Sequence, residues 1–465
     1  MAVQKREHFA SRLGFILIAA GCAIGIGNVW RFPYITGEYG GGAFVLLYLI
    51  FLVILGLPVM VMEFAVGRAS QRSAAQAFDV LEPKRRWHWF SWWGYIGCMI
   101  LMMFYTTVGG WMLSYIPKLA SGQFAGANAD AAGTAFNAML ANPTELIGWM
   151  MLCIIIGFVI CSLGLQKGVE RITKLMMATL FVVMILLCIR AVTLPGAAEG
   201  VAFYLLPDFS RMFENGWSGF GEAVYAAMGQ AFFSLSLGIA AMEIFGSYID
   251  KKRSLTGEAI SVTALNTVVA ILAGLIIFPA CFAYGVSPDQ GPSLVFVTLP
   301  VVFGQMPLGE LWGALFFLFM SFAALSTVIA VFENLISWTM DKWGCSRLRA
   351  VAINGVLVAV LSLPCALGFN VWSGFVVPGI GDIQTLEDFI VSNNMLPLGS
   401  LIFVLFCTTR YGWGWKNFLK EADAGDGIKF PQWSRIWVTY GIPVLIIIIF
   451  IMGYTPKIAA WLGLG

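Results

Sequence analysis

Charged residues are scarce in this chain: of its 465 residues, only 11% are Asp, Glu, Lys or Arg. Ordinary soluble domains carry about 25%. The 27 basic and 25 acidic residues give a formal net charge of +2, which leaves no basic surface of the size that nucleic-acid binding requires. The shortage of charge therefore excludes a water-soluble enzyme of ordinary composition and argues against a nucleic-acid partner.

Metal-site and disulfide patterns are lacking as well. The two histidines, His8 and His88, lie in basic polar flanks, and we assign them no chemistry. The nine cysteines contain no CxxC pair and lie mostly inside apolar runs. Neither a zinc site nor a disulfide framework is predicted from such a pattern.

Apolar runs are abundant instead, because 59% of the residues are hydrophobic. A helix that spans a membrane needs about 20 such residues. The polar stretches at about 118–145 and 409–433 are too short for a soluble domain, so we predict one all-α integral membrane domain over 1–465. Its eleven predicted spans are 13–36, 42–66, 91–117, 146–164, 169–191, 219–248, 256–284, 309–340, 349–367, 384–408 and 434–454.

The distribution of basic residues predicts the orientation. If the N-terminus is cytoplasmic, 22 of the 27 Lys and Arg residues fall in cytoplasmic segments, which matches the known excess of basic residues on that side. We therefore expect a cytoplasmic N-terminus. An odd number of spans then places the C-terminus on the opposite side.

Two predicted spans are interrupted at mid-membrane depth. Span 1 has Gly21, Gly25, Gly27 and Asn28 there. Span 6 has Gln230, Ser234, Ser236 and Gly238. Glycines in one span could serve close helix packing, but corresponding interruptions five spans apart indicate an inverted-repeat transporter with its site at the breaks.

Unwound backbone is tolerated in a membrane only where it lines a cavity inside the protein. Carbonyl oxygens near Gly21, Ala23 and Ile24, together with the Asn28 amide, are hard neutral ligands that suit sodium better than a transition metal. The helix that begins after a break presents free N–H groups to an anion. The breaks therefore predict a sodium site beside an anionic or zwitterionic substrate.

The residues at 27–34 (GNVWRFPY) and 38–44 (EYGGGAF) resemble the hallmark of the neurotransmitter:sodium symporters. The likeness continues at 229–238 and 323–327 and covers essentially the whole chain. It implies a leucine-transporter-like fold in which helices 1 and 6 are broken. The implied divisions are two inverted five-helix repeats, 1–191 and 219–408, and an extra helix, 434–454. A usual twelfth span is missing, as in some bacterial members, so a bacterial inner membrane is expected.

The resemblance also implies the ion sites. One sodium would be bound by the Ala23 carbonyl, Asn28, Ser234, Asn266 and the substrate carboxylate. A second would be bound by carbonyls of Gly21, Ile24 and Ala323 and by hydroxyls of Ser326 and Thr327. From the residues alone, these two hydroxyls could equally bond to carbonyls of their own helix. A chloride, expected because no acid is present there, would lie among Tyr48, Gln230, Ser234 and Asn266.

The implied substrate pocket consists of Cys22, Ala23, Gly25, Gly27, Leu101, Tyr105, Phe233, Ser236, Ile239, Thr327 and Val331. Gly25 stands where carriers of monoamines have an aspartate, which favours a substrate that brings its own carboxylate. Ala240 stands where a glycine is usual and should reduce the pocket volume. A small or medium neutral amino acid is therefore expected.

Gates and buried acids complete the prediction. Arg31 and Asp388 would close the outer vestibule. Arg6, Tyr248 and Asp341 would form the inner gate. Carboxylates inside a membrane are costly and mark functional sites by default, and here they are Glu63, Glu243 and Glu333. Glu63 resembles a family glutamate that accepts hydrogen bonds from unwound backbone, while Glu243 could be inert when protonated, a proton site or a specificity determinant.

Together these residues predict a sodium-coupled, chloride-dependent symporter of a neutral amino acid that works by alternating access. No catalysed reaction and no obligatory protein partner is expected. Two alternatives stay open at this point. One is a proton-coupled or exchange transporter on the same fold, with Glu243 carrying the proton. The other is a receptor that binds an amino acid without moving it.

Overall fold

The computed structural model describes residues 9, 11–214, 216–286 and 293–461, and the described part is almost entirely helical, with isolated β-bridges but no strand. Arg6 of the predicted inner gate lies outside the described residues. Spans 1 to 5 are Arg12–Ala23 with Gly27–Glu38, Gly42–Ser70, Trp87–Ala120, Pro143–Ser162 and Leu165–Val192. Span 6 is Gly216–Ser234 with Ala241–Gly246. Spans 7 to 11 are Leu255–Ala283, Gly309–Trp343, Arg347–Gly368, Ile383–Thr408 and Gln432–Thr455.

Within the described residues, 9 continuous helices are long and apolar enough to cross a membrane, and the two halves of span 1 make up to 10. Span 6 is counted in addition to these and brings the number of spans to the eleven that were predicted. A turn at 235–240 divides it into two helices. Shorter helices connect the spans: Ala74–Leu81, Ala129–Ala141, Ala197–Leu205, Leu294–Gln305 and Trp415–Ala422. The all-α membrane fold with broken helices 1 and 6 is thus confirmed.

Spans 3 and 8 form the centre of the bundle. In their most apolar stretches, 78% and 83% of the residues are buried inside the protein. The corresponding share in spans 9 and 11 is 33%, so much of their apolar surface faces outward. Because hydrophobic side chains on such a surface would be costly in water, the outward faces of these spans suit the lipid.

Span 1 changes direction by 55° between its two halves. The Ser11 hydroxyl caps its start by accepting a hydrogen bond from the Gly14 amide at 3.0 Å. Its regular helix ends at Ala23 and resumes at Gly27. The break therefore coincides with the glycines at positions 25 and 27, which are poor residues for the inside of a helix.

Span 6 is broken by three residues with left-handed backbone: Ser236, Gly238 and Ala240, with φ of 52°, 91° and 59°. Each non-glycine residue in this region costs about 1–2 kcal/mol, so tertiary contacts have to hold the turn. Glu63 of span 2 does so, since its carboxyl accepts hydrogen bonds from the Gly238 amide at 2.6 Å and the Met242 amide at 3.2 Å. This arrangement agrees with the role that the resemblance implies for Glu63.

Candidate functional site

The two breaks bring the predicted ligands of the first sodium together. Asn28 is fully buried, and its amide nitrogen donates to the Asn266 amide oxygen at 2.6 Å. The side-chain oxygen of Asn266 lies 3.3 Å from the Ala23 carbonyl oxygen and 3.1 Å from the Ser234 carbonyl oxygen. Reversing the Asn266 amide would supply donors to both carbonyls but would place its nitrogen 2.6 Å from the Asn28 nitrogen. The bond from Asn28 therefore favours a cluster of converging oxygens.

Such a cluster fits a hard cation. The side-chain oxygen of Asn28 is also buried and has no hydrogen-bond partner in the described part of the chain. Within the part of the chain that the structure describes, no group of three or more His, Cys, Asp or Glu side chains could hold a metal ion. Neutral carbonyl and amide oxygens are ligands that suit alkali and alkaline-earth cations rather than soft metals, and the cluster around Asn28 therefore suits sodium.

The predicted ligands of the second sodium also converge. The Thr327 hydroxyl lies 3.2 Å from the Gly21 carbonyl oxygen and 3.4 Å from that of Ile24. The Ser326 hydroxyl lies 3.3 Å from the Ile24 carbonyl oxygen and 2.9 Å from that of Ala323. Span 8 thus presents its hydroxyls to unwound carbonyls of span 1 as well as to its own backbone.

The predicted chloride residues are buried beside the first cluster. The Tyr48 and Ser234 hydroxyls are 3.0 Å apart, and the Asn266 amide nitrogen donates to the Tyr48 hydroxyl at 3.3 Å. Gln230 donates to the Gly27 carbonyl at 2.8 Å, and no described residue donates a hydrogen bond to its own side-chain oxygen. The group offers several neutral hydrogen-bond donors and no acid.

A small cavity of about 10 Å³ lies between the breaks. Its lining contains nine of the eleven predicted pocket residues: Cys22, Ala23, Gly25, Gly27, Leu101, Tyr105, Phe233, Ser236 and Thr327. Leu396 of span 10 completes the lining. A space of this size is near the minimum for one water molecule, so an amino acid can enter only if the walls separate.

Two predicted pocket residues, Ile239 and Val331, are buried outside this lining. The Ile239 side chain packs against Gly97 of span 3, where an added Cβ would lie 2.6 Å from it. The methyl group of Ala240 faces Gly94, where an added Cβ would lie 3.1 Å from it. The methyl of Ala240 therefore occupies space between spans 3 and 6 and does not line the cavity, contrary to the expectation that it reduces the pocket.

Tyr105 fixes the backbone of the break in span 1. Its hydroxyl accepts a hydrogen bond from the Ile26 amide at 2.7 Å. A Cβ added at Gly25 would lie 2.0 Å from that hydroxyl and 2.4 Å from Thr327 Oγ1. The cavity therefore has no room for a side chain at position 25.

We expect Gly25→Ala to weaken substrate binding about 10- to 100-fold, because overpacking a tight site costs about 1–3 kcal/mol. Substrate binding to the purified protein measures the effect. Gly221→Ala is the matched control, since a Cβ there meets no atom of the described residues within 4 Å. Equal affinity in the two variants would show that the break near Gly25 does not limit binding.

A vestibule of about 480 Å³ opens above the cavity, and we call this the outer end of the bundle. Tyr105 and Phe233 line both spaces and thus separate them. The Arg31 guanidinium lies 4.5 Å from the centre of the Phe233 ring. Arg31 and Asp388 of the predicted outer gate both line the vestibule.

Ser392 joins the two residues of the predicted outer gate. Its hydroxyl donates to Asp388 at 2.6 Å and accepts from Arg31 at 3.2 Å. Among the described residues, Arg31 and Asp388 are not themselves paired within 4 Å. Ser392 was not among the predicted gate residues. It lies in a π-helical stretch, Val391–Met395, of a kind that is common at functional sites.

We expect Ser392→Ala to slow transport about 10-fold while changing equilibrium substrate binding by less than about 3-fold, because a bridging residue biases conformations without contacting substrate. Ser392→Thr, which keeps the hydroxyl, should retain most of the rate. The comparison requires uptake rates in proteoliposomes and binding to the same preparations. A proportional loss of rate and affinity in Ser392→Ala would contradict a gating role.

The inner end carries the described part of the predicted inner gate. The Tyr248 hydroxyl lies 3.0 Å from a Glu333 carboxyl oxygen and 2.8 Å from the Ser337 hydroxyl. Asp341 accepts hydrogen bonds from the Ser73 amide at 2.8 Å and hydroxyl at 2.7 Å.

Glu333, a buried acid at this end, is ion-paired with Arg347 of span 9. Arg347 was not among the predicted site residues. A basic residue at the edge of an apolar span was the only available signal, and it did not indicate a partner.

Comparisons with known proteins agree with this geometry. The sodium:neurotransmitter symporter family model matches residues 6–132 and 134–459. The uncharacterized sodium-dependent transporter YhdH of Bacillus subtilis is 36% identical over 97% of this chain and 98% of its own length. A mouse sodium- and chloride-dependent GABA transporter 2 is 28% identical over 93% of this chain and 77% of its own length.

Among solved structures, the crystal structure of MhsT in complex with L-phenylalanine matches with a TM-score of 0.86 and 39% identity, over 97% of this chain and 100% of that one. The expected family and fold are therefore confirmed. The chain belongs to the sodium:neurotransmitter symporter family, and it is a sodium-dependent multi-pass membrane transporter and not an enzyme.

Proposed function

We propose that this transporter carries a small or medium neutral amino acid with sodium, in a cycle of alternating access. The observation that carries the proposal is the cavity between the two breaks, whose lining residues are all uncharged. A substrate amine or carboxylate buried there without a partner would be costly. A zwitterion beside a bound sodium supplies its own compensating charges, whereas a simple amine does not.

Ala23 links the substrate cavity to the first sodium cluster, because it lines the cavity and its carbonyl belongs to the cluster. A substrate carboxylate in this position would complete the ion site and make sodium binding and substrate binding depend on each other. Leu101, Phe233 and Leu396 give the cavity an apolar wall for the substrate side chain. The L-phenylalanine bound to MhsT supports an amino acid as the class of substrate.

We further propose two sodium sites, around Asn28 and around Thr327, and a chloride beside the first. Chloride dependence in the name of the related mouse transporter supports the last assignment. We place the N-terminus in the cytoplasm because most basic residues lie in the predicted inner loops, and the similarity to YhdH of Bacillus subtilis supports a bacterial inner membrane. Labelling of single introduced cysteines from one side of the membrane tests this orientation.

Alternating access requires gates that break at little cost. The outer vestibule is open towards Tyr105 and Phe233, while the substrate cavity below is nearly closed. The hydrogen bonds of Ser392 to Arg31 and Asp388 involve charged groups and are each worth about 1.5–3 kcal/mol, which is within the range that ion and substrate binding can offset. Such contacts can form and break as ions and substrate occupy the site.

Uptake by proteoliposomes tests the proposed function. An inward sodium gradient should drive accumulation of one or more neutral L-amino acids from a panel of the common ones, and potassium in place of sodium should abolish it. Accumulation driven by a pH gradient without sodium would favour the proton-coupled alternative. Sodium-dependent binding without accumulation would favour the receptor.

A further inference from the structure

Glu387 is a buried acid that has no role in the transport cycle proposed above. It lies in the helix Ile383–Ile390 at the outer end of span 10, next to the gate residue Asp388. The residue is only 5% exposed, and among the described residues no nitrogen or hydroxyl group donates to its buried carboxyl oxygens, whose hydrogen-bonding neighbour is the Cys365 thiol. The carboxyl of Asp388, in contrast, lines the vestibule and bonds to Ser392.

The groups that face Glu387 are neutral or acidic. The Cys365 thiol faces it from the end of span 9, and the Thr107 hydroxyl of span 3 lies beside that thiol. Asp382 faces it from the start of its own helix. None of the basic residues in the described ranges forms an ion pair with it.

Four of the other buried acids in the described ranges have a basic partner, whereas the buried Glu63 accepts hydrogen bonds from two backbone amides. Glu258, Glu170, Glu333 and Glu421 pair with Arg12, Lys174, Arg347 and Arg68, respectively. An unpaired carboxylate that is removed from water has no attraction to a partner to offset its desolvation cost. Binding a proton is the simplest way to neutralise it. Glu387 differs from the four paired acids in that no basic residue of the described ranges pairs with it, and from Glu63 in that no backbone amide of those ranges donates to it.

We propose that Glu387 is a proton-binding site of the outer gate, which holds a proton in the conformation described here. Loss of the proton would place a second negative charge beside Asp388 and would draw water between spans 3, 9 and 10. Because the packed conformation binds the proton, low external pH fully favours this conformation. As the pH rises and the proton dissociates, the packed conformation is lost. The transport rate should therefore fall at alkaline external pH.

Glu387→Gln tests the proposal because glutamine has the shape of the protonated acid. We expect the uptake rate of the unmodified protein to fall at least 5-fold from mildly acidic to alkaline external pH, and that of the variant to stay within about 2-fold of its acidic value. Glu199→Gln, an exposed acid in the connecting helix Ala197–Leu205, is the matched control and should keep the pH dependence. An unchanged pH profile in Glu387→Gln would overturn the proposal.

A second measurement needs no substrate and so separates this proposal from that of the amino-acid cargo. The infrared spectrum of the unmodified protein at neutral pH should contain a carbonyl stretch of a protonated carboxyl that is missing in Glu387→Gln. Should that variant fail to fold, Glu387→Leu replaces it, because leucine is also neutral and of similar size. Identical carboxyl bands in the protein and its folded variant would show that Glu387 is ionised, against the proposal.

Discussion

Replacement of Asn28 by alanine is expected to abolish sodium-dependent amino-acid binding and to leave the protein folded. Asn28 is fully buried between the two breaks, where its amide contacts Asn266. Its side-chain oxygen has no partner among the described residues and is therefore available to a cation. Alanine would remove that ligand and would also leave the Asn266 amide without its donor.

The expected loss is large because one change acts on two ligands. An unpaired buried amide costs about 1–3 kcal/mol, and the missing sodium ligand adds to this at a site that the substrate is proposed to share. We expect at least a 100-fold loss of substrate affinity at moderate sodium concentration. Sodium titrations of substrate binding to the purified protein measure it.

Asn417→Ala is the control for a general effect of losing an asparagine. Asn417 is exposed, and its side-chain amide donates to the Trp413 carbonyl of its own connector. This variant should bind like the unmodified protein. Similar sodium dependence in Asn28→Ala and Asn417→Ala would remove Asn28 from the ion site, and loss of the folded state in Asn28→Ala would point to a structural role instead.

The sequence was sufficient to predict the architecture because the signals were local. Long apolar runs predict spans, and glycine with small polar residues at mid-membrane depth predicts the breaks. The break in span 6 also depends on a glycine. Gly238 has a positive φ, and an added Cβ there would lie 2.1 Å from the Leu396 carbonyl oxygen. Only glycine fits such a contact.

The residues that were missed depend on which helices meet. Leu396, Ser392 and Glu387 all lie in span 10. The roles proposed for them depend on their contacts with spans 1, 3, 6 and 9. An apolar residue, a serine and an acid near the end of a span carry no local signal of those contacts. Ile239 was assigned to the pocket by family resemblance, but Gly97 leaves room for its side chain to pack against span 3 instead.

Replacing external chloride by gluconate at constant sodium is expected to reduce amino-acid uptake at least 10-fold. Two sodium ions and a zwitterion would bring two uncompensated positive charges into a region of low dielectric, and such charges are costly without a counter-ion. Tyr48, Ser234, Gln230 and Asn266 are buried together there and are all neutral. Their hydroxyl and amide groups are hydrogen-bond donors that can surround a halide.

Asn266→Asp is the variant that separates a chloride site from a general effect of the anion. A carboxylate has nearly the shape of the amide and can still offer an oxygen to the cluster at Ala23 and Ser234, while it supplies the negative charge from within the protein. Its uptake should therefore be equal in chloride and in gluconate. Thr267→Ser, a conservative change one residue away at a side chain that bonds within its own helix, should keep the chloride requirement.

The charge could also come from an acid elsewhere, and the two experiments together distinguish this case. Glu63 contacts the break in span 6 through its bonds to Gly238 and Met242, yet those amides hold it at the opposite end of the turn from Ser234. If Glu63 or another acid supplied the charge, gluconate would leave uptake by the unmodified protein unchanged. If chloride supplies the charge, uptake falls in gluconate and Asn266→Asp restores it, because the aspartate then supplies the same compensating charge from within the protein.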